Sequence, residues 1–139
     1  LIGDLTFLHD VGGFLWNARR GAPVTFVVVD NGGGGIFPLL SQRDLPREEL
    51  ERLFVTPHGL ELGAIAAAAG ALHERVLRAD TLDGALERAR SSGRAALVEV
   101  VVDRDRNAVR QAEAVSVAAR SVAGAWTTGT RPAPTTPRS

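Results

Sequence analysis

The chain has 139 residues, with 16 basic and 16 acidic side chains, a formal net charge of zero, and neither Cys nor Met. That length is enough for one domain to bury its own core, and balanced, unclustered charge leaves no electrostatic footprint for nucleic acid or an anionic membrane. The lack of Cys excludes disulfides, thiolate metal sites and cysteine nucleophiles; all 16 basic residues are Arg, so Schiff-base chemistry on lysine is excluded as well.

Leu1-Ile2 runs straight into Gly3-Asp4, as if a strand had been entered near its end. The protein is therefore expected to extend upstream, the present segment being a fragment. Residues 5 to about 20 (LTFLHDVGGFLWNARR) are apolar on more than one side and predict a buried helix. Gly12 and Gly13 weaken it by about 1 kcal/mol each relative to Ala and suggest close approach of a neighbouring backbone. Gly21-Ala22-Pro23 ends the element. Val24–Val29 (VTFVVV) is an unbroken β-branched and aromatic run, the pattern of a strand covered on both faces. Asp30-Asn31 and four glycines then form a loop at its carboxyl end.

Ile36–Leu40 resumes an apolar path, followed by a charged helix around Arg47–Phe54. Gly59–Ala71 predicts a helix of small residues, and a short strand is expected near Glu74–Leu77. Thr81 is placed to cap a helix over Leu82–Arg90. Ala96–Val102 (ALVEVVV) is another buried strand, and a last helix runs from Asp105 to about Ala123. Residues 1–123 are expected to form one domain, and the polar, Pro-rich residues 124–139 a disordered tail. No apolar run approaches the roughly 20 residues of a membrane span.

The order β-α-β-(α-α)-β-α-β-α predicts an α/β fold: a parallel sheet covered by helices on both faces, a flavodoxin-like three-layer arrangement. Ligands of such sheets sit beyond the carboxyl ends of the strands. Two polar loops are expected there, Gly3-Asp4 and Asp30-Asn31 with its glycines. Asp4 and Asn31 are 27 residues apart, one helix plus one strand plus turns. That spacing can bring both oxygen-bearing side chains to one sheet edge. Between them, the amino end of the first helix offers free N–H groups to an anion. A carboxylate, an amide oxygen and a backbone carbonyl suit a hard cation such as Mg²⁺, completed by phosphate oxygens and water. The residues alone thus describe a magnesium-diphosphate site. Taken singly, Asp4 reads as a helix cap and Asn31 as a turn residue. Asp30 is open between a turn role, support of the site and an extra anion near the ion.

Gly3-Asp4, then 27 positions to an Asn followed by Gly, resembles the thiamin-diphosphate signature Gly-Asp-Gly followed at a distance by Asn-Asn. Leu5 replaces its third Gly, and Asp30 the first Asn of its pair. Three blocks in order narrow the resemblance: Gly-Asp-Leu-Thr-Phe-x-His-Asp from Gly3, the glycines and Ile36-Phe37 after Asn31, and Arg-Leu-Phe-x-Thr-Pro-His from Arg52. Together they resemble the 2-succinyl-5-enolpyruvyl-6-hydroxy-3-cyclohexene-1-carboxylate synthases of menaquinone biosynthesis, in their carboxy-terminal thiamin-diphosphate-binding domain. The resemblance implies that Asp4 and Asn31 bind Mg²⁺ through side chains and Gly33 through its carbonyl. Gly3, Leu5 and Thr6 would lie against the cofactor's diphosphate, and Ile36 and Phe37 would form an apolar wall beside its thiazolium and the substrate. It further implies decarboxylation of 2-oxoglutarate and addition of the product to isochorismate, in a cytoplasmic homodimer or homotetramer. The activating glutamate would come from an amino-terminal domain that this segment lacks, so the segment alone is expected to be inactive. His58 is left open between a loop role and an approach to the site; His9, Asp10 and His73 read as structural. Other members of the superfamily, a Mg²⁺-dependent phosphohydrolase built on Asp4 and Asp30, and a non-catalytic flavodoxin-like module are the competing readings.

Overall fold

Four parallel strands form the sheet: β1 (Ile2–Gly3), β2 (Thr25–Asp30), β3 (Leu72–Val76) and β4 (Ala96–Val101), in the spatial order β1-β2-β4-β3. The computed structural model describes residues 1–128. Residues 1–108 make one compact unit and carry the whole sheet, while from Val109 onward a second unit is described only by its helix. β2 pairs with β1 through Ile2–Val28 and Gly3–Val29, and with β4 along its full length. The carboxyl ends of β1 and β2 therefore lie side by side, with Asp4 directly following one and Asn31 the other.

Helices cover both sheet faces. α1 (Asp4–His9), α2 (Val11–Arg19) and α4 (Leu62–Ala68) meet one face, where Phe7, Phe14, Val28, Leu62, Ala66 and Leu97 form the buried core. Three aromatic rings interlock edge-to-face at its centre, Phe7–Phe14 at 5.3 Å and Phe14–Phe26 at 5.2 Å, a geometry favoured by the ring quadrupoles. On the other face α5 (Leu82–Ser91) buries Ala85 and Ala89 against Val76, Ala96 and Val98. The helix α3 (Arg47–Leu50) passes directly into a wider π-type turn over Glu51–Val55. The helix α6 (Arg104–Thr128) follows β4.

Several expectations shift. The first helix is two, α1 and α2, broken at Asp10, whose φ of −116° and ψ of 30° leave the helical region. The group close to Gly13 is the Asp10 side chain itself, and nothing lies within 4 Å of where a side chain on Gly12 would begin. The run VTFVVV is only partly covered: Val28 is fully buried, the rest of β2 is half-buried, and Val24 is exposed. The reason is that α5 packs over β3 and β4 rather than over β2. Thr81 makes no cap bond to α5; its hydroxyl donates instead to the Arg78 carbonyl at 2.8 Å. The last helix continues to Thr128, beyond the expected end near Ala123, and the rest of the expected tail lies outside the described residues.

Candidate metal centre

Asp4 is the first residue of α1 and is 2% exposed. Such a carboxylate is costly to bury unless it is hydrogen-bonded. Its Oδ1 accepts the Leu5 N–H at 2.7 Å, and its Oδ2 accepts the N–H groups of Gly33 at 2.8 Å and Asn31 at 3.3 Å. One side chain thus joins the start of the helix after β1 to the loop after β2. The cap position of α1 is Gly3, with no side-chain cap bond, so Asp4 is not the N-cap the sequence suggested; it anchors the glycine loop from the first turn.

The loop has the curvature that only glycine supplies. Gly32 and Gly33 have φ of +74° and +136°, where a side chain is strained. Asp30 Oδ1 accepts the Gly32 N–H at 2.9 Å, an Asx-type turn. The π-type turn presses on the loop from outside: the Val55 carbonyl accepts the Gly34 N–H at 2.7 Å, and any side chain on Gly33 would run into that same oxygen. Phe37 packs against Phe54 with ring centroids 5.3 Å apart, and its ring leaves no room for a side chain on Gly34.

His58 reaches the same place from the loop after the π-type turn. Its Nε2 lies 3.4 Å from Asp4 Oδ2 and 3.6 Å from Asp30 Oδ1. Ligand atoms of Asp4, Asp30 and His58 all fall within 4.8 Å of one another. Burial raises the Asp30 carboxyl above the ordinary carboxylate range; the Gly32 N–H opposes this rise, and the neighbouring Asp4 carboxylate adds to it. Beside the cluster, Asn31 Oδ1 is buried and has no hydrogen-bond partner. Leaving such an acceptor unsatisfied costs about 1–3 kcal/mol. Two carboxylates and an unused amide oxygen form a donor set of hard oxygens, as Mg²⁺ requires. The residues present fit a cation and the diphosphate it would carry. A cavity of about 480 Å³, with Asn31, Gly32 and Pro57 in its wall, opens beside the loop.

A model of the family described as "Thiamine pyrophosphate enzyme, C-terminal TPP binding domain" matches residues 1–100. The chain belongs to this family. Thiamin diphosphate is accordingly its cofactor. The chain is similar to the 2-succinyl-5-enolpyruvyl-6-hydroxy-3-cyclohexene-1-carboxylate synthase of Myxococcus xanthus, 44% identical over 108 residues, 77% of this chain and 18% of that protein. The synthase of the same name from Thermobifida fusca is 44% identical over 124 residues, 86% of this chain and 21% of that protein. That from Enterococcus faecalis is 37% identical over 107 residues, 77% of the chain and 18% of that protein. The chain therefore spans about a fifth of the length of the curated relatives it matches. Among solved structures, benzoylformate decarboxylase from Polynucleobacter necessarius superposes with a TM-score of 0.61 and 25% identity, covering 74% of this chain and 19% of that one. The α/β fold with its parallel sheet and covering helices is that of the thiamin-diphosphate-binding domain.

Of the residues singled out from sequence, Asp4, Asn31 and Gly33 meet at one point through the hydrogen bonds above. Gly3 and Thr6 are exposed and Leu5 half-buried at the start of α1. With Asp10 breaking the helix, only the six residues of α1 stand behind this end. Ile36 is 58% exposed. Phe37 packs against Phe54. The Val55 carbonyl was not foreseen; sequence carries no sign of a backbone acceptor, although Val55 lies inside the Arg-Leu-Phe-x-Thr-Pro-His block. His73 is structural: its Nε2 is 2.7 Å from Glu99, a carboxylate 3% exposed that also meets Arg75 at 3.2 Å. Among the described residues, no helix is long and apolar enough to cross a membrane.

Proposed function

We propose that this chain is the cation- and diphosphate-binding domain of a thiamin-diphosphate- and Mg²⁺-dependent carboligase acting in menaquinone biosynthesis. The reaction is decarboxylation of 2-oxoglutarate followed by addition of the product to isochorismate. Its support is the similarity to synthases of that name over most of the chain, together with the three sequence blocks in order. The observation that carries the reading is the convergence of the buried Asp4 carboxylate, the unpartnered Asn31 Oδ1 and the clamped glycine loop on adjacent strand ends.

In this reading Asp4, Asn31 and the Gly33 carbonyl hold Mg²⁺, and Gly3, Leu5 and Thr6 face the diphosphate. Ile36 shields the reacting centre from water. The bound cofactor supplies the carbanion chemistry, while protein groups bind, orient and exclude solvent. The remainder of the full-length protein supplies the activating glutamate and the substrate carboxylate sites, in a cytoplasmic homodimer or homotetramer. A phosphohydrolase built on Asp4 and Asp30 is disfavoured, because such chemistry normally draws on a Lys partner and the chain has no Lys.

The test is titration of the chain, alone and within its full-length protein, with thiamin diphosphate in the presence and absence of Mg²⁺. Metal-dependent binding that Asp4→Ala and Asn31→Ala abolish is the expected result. Binding that ignores both the metal and these substitutions would leave a non-catalytic module. For the reaction, 2-oxoglutarate should be consumed by the full-length protein only when isochorismate is present.

A further inference from the structure

His58 touches the cluster from a loop that departs repeatedly from ordinary backbone geometry. Residues 51–55 form a π-type turn, whose end places Thr56 at φ 45° and ψ 64°. Thr56 is the only non-glycine residue with positive φ among the described residues. For a β-branched residue this conformation is strained and persists only where surrounding structure enforces it. Gly59 also has positive φ, at 59°. Between these two reversals the His58 side chain turns back to the strand ends and is 9% exposed.

The ring's hydrogen bonds determine where its proton sits. The Leu60 N–H donates to His58 Nδ1 at 3.1 Å. A backbone N–H is always a donor, so Nδ1 must present its lone pair, and the proton of the neutral ring is on Nε2. Nε2 is the atom that faces Asp4 Oδ2 and Asp30 Oδ1. A nitrogen carrying a proton has no lone pair in the ring plane to give a metal. The grouping of two carboxylates and an imidazole therefore differs from a three-ligand cation site.

We propose that His58 is a positioning residue: an imidazole whose Nε2–H donates to Asp4 while lying beside Asp30, keeping the two carboxylates in place without ligating the ion. This rests on the reading of Asp4 and Asn31 as cation ligands. Two neighbouring carboxylates repel, and a donor bonded to one and lying beside the other offsets that repulsion before the ion arrives. The same loop positions the Val55 carbonyl on Gly34. Residues 55–58 thus grip both the glycine loop and the acidic pair. The consequence is preorganisation, seen as higher cation affinity with an unchanged set of ligands.

Two measurements on the full 139-residue chain test it. Long-range ¹H–¹⁵N spectra of the metal-free chain at neutral pH, with the His58 signals identified by their loss in His58→Gln, should show Nδ1 unprotonated and Nε2 protonated. A ring protonated on Nδ1 overturns the proposal. Electron paramagnetic resonance titration with Mn²⁺ and thiamin diphosphate is the second measurement. His58→Asn, whose amide cannot reach the carboxylates, should weaken Mn²⁺ binding by about 10–100-fold. His58→Gln, whose Nε2 can replace the donor, should restore most of the affinity, as a merely structural role would not. Directly coordinated imidazole nitrogen in the wild-type spectrum, or wild-type affinity in His58→Asn, overturns the proposal while leaving the cation site intact. Failure of the wild-type chain to bind Mn²⁺ sinks the cation reading, and the His58 role falls with it.

Discussion

Gly33→Ala probes the clamp between the glycine loop and the π-type turn. At φ +136° an alanine is strained, and its Cβ would overlap the Val55 carbonyl oxygen. Holding a non-glycine residue in such a region costs about 1–3 kcal/mol. Moving Val55 aside also loosens the 2.7 Å bond from the Gly34 N–H, worth about 1 kcal/mol. The expected destabilisation is about 2–4 kcal/mol. Urea denaturation with an unchanged slope would read it as a lower midpoint. Gly12→Ala is the internal control, because nothing lies within 4 Å of the new methyl and Gly12 lies in α2. It should stabilise by about 0.5–1 kcal/mol. A Gly33→Ala variant within about 0.5 kcal/mol of wild type, measured beside that control, would refute the clamp.

Phe14→Ala removes the fully buried ring between Phe7 and Phe26 and should cost about 3–5 kcal/mol in the same denaturation experiment. Glu99→Ala leaves His73 and Arg75 without their shared carboxylate. Because those partners are 25% and 51% exposed, the loss should be at the modest end for a buried pair, about 1–3 kcal/mol. Asp30 has its folded-state pKa raised, chiefly by burial, so folding favours its protonated form. That contribution is fully present below the ordinary carboxylate range and is lost as pH rises through the raised pKa. With metal chelated, Asp30→Asn should therefore be more stable than wild type at neutral pH. The difference should shrink as pH falls toward the ordinary carboxylate range, and pH-dependent denaturation curves that stay parallel would contradict it.

The order of strands and helices was legible because buried strands and helices leave different periodicities in the chain. The meeting of Asp4 and Asn31 was legible because one helix plus one strand returns the chain to a neighbouring strand end. The break at Asp10 left no such mark. Local pattern favours one continuous helix there, whereas the three interlocked rings of Phe7, Phe14 and Phe26 exist only in the packed sheet. Likewise VTFVVV announces a strand, but its partial exposure depends on α5 lying over β3 and β4. Asp30 and His58 stayed open in the sequence for the same physical reason. Their roles depend on a donor and two carboxylates separated by tens of residues, and hydrogen bonds of that kind have no linear spacing to betray them. Sequence determined the fold class and the cofactor family. Tertiary structure alone decided the Val55 clamp and the turn of the His58 ring toward Asp4, because backbone carbonyls and imidazole nitrogens acquire partners only once the chain has closed on itself.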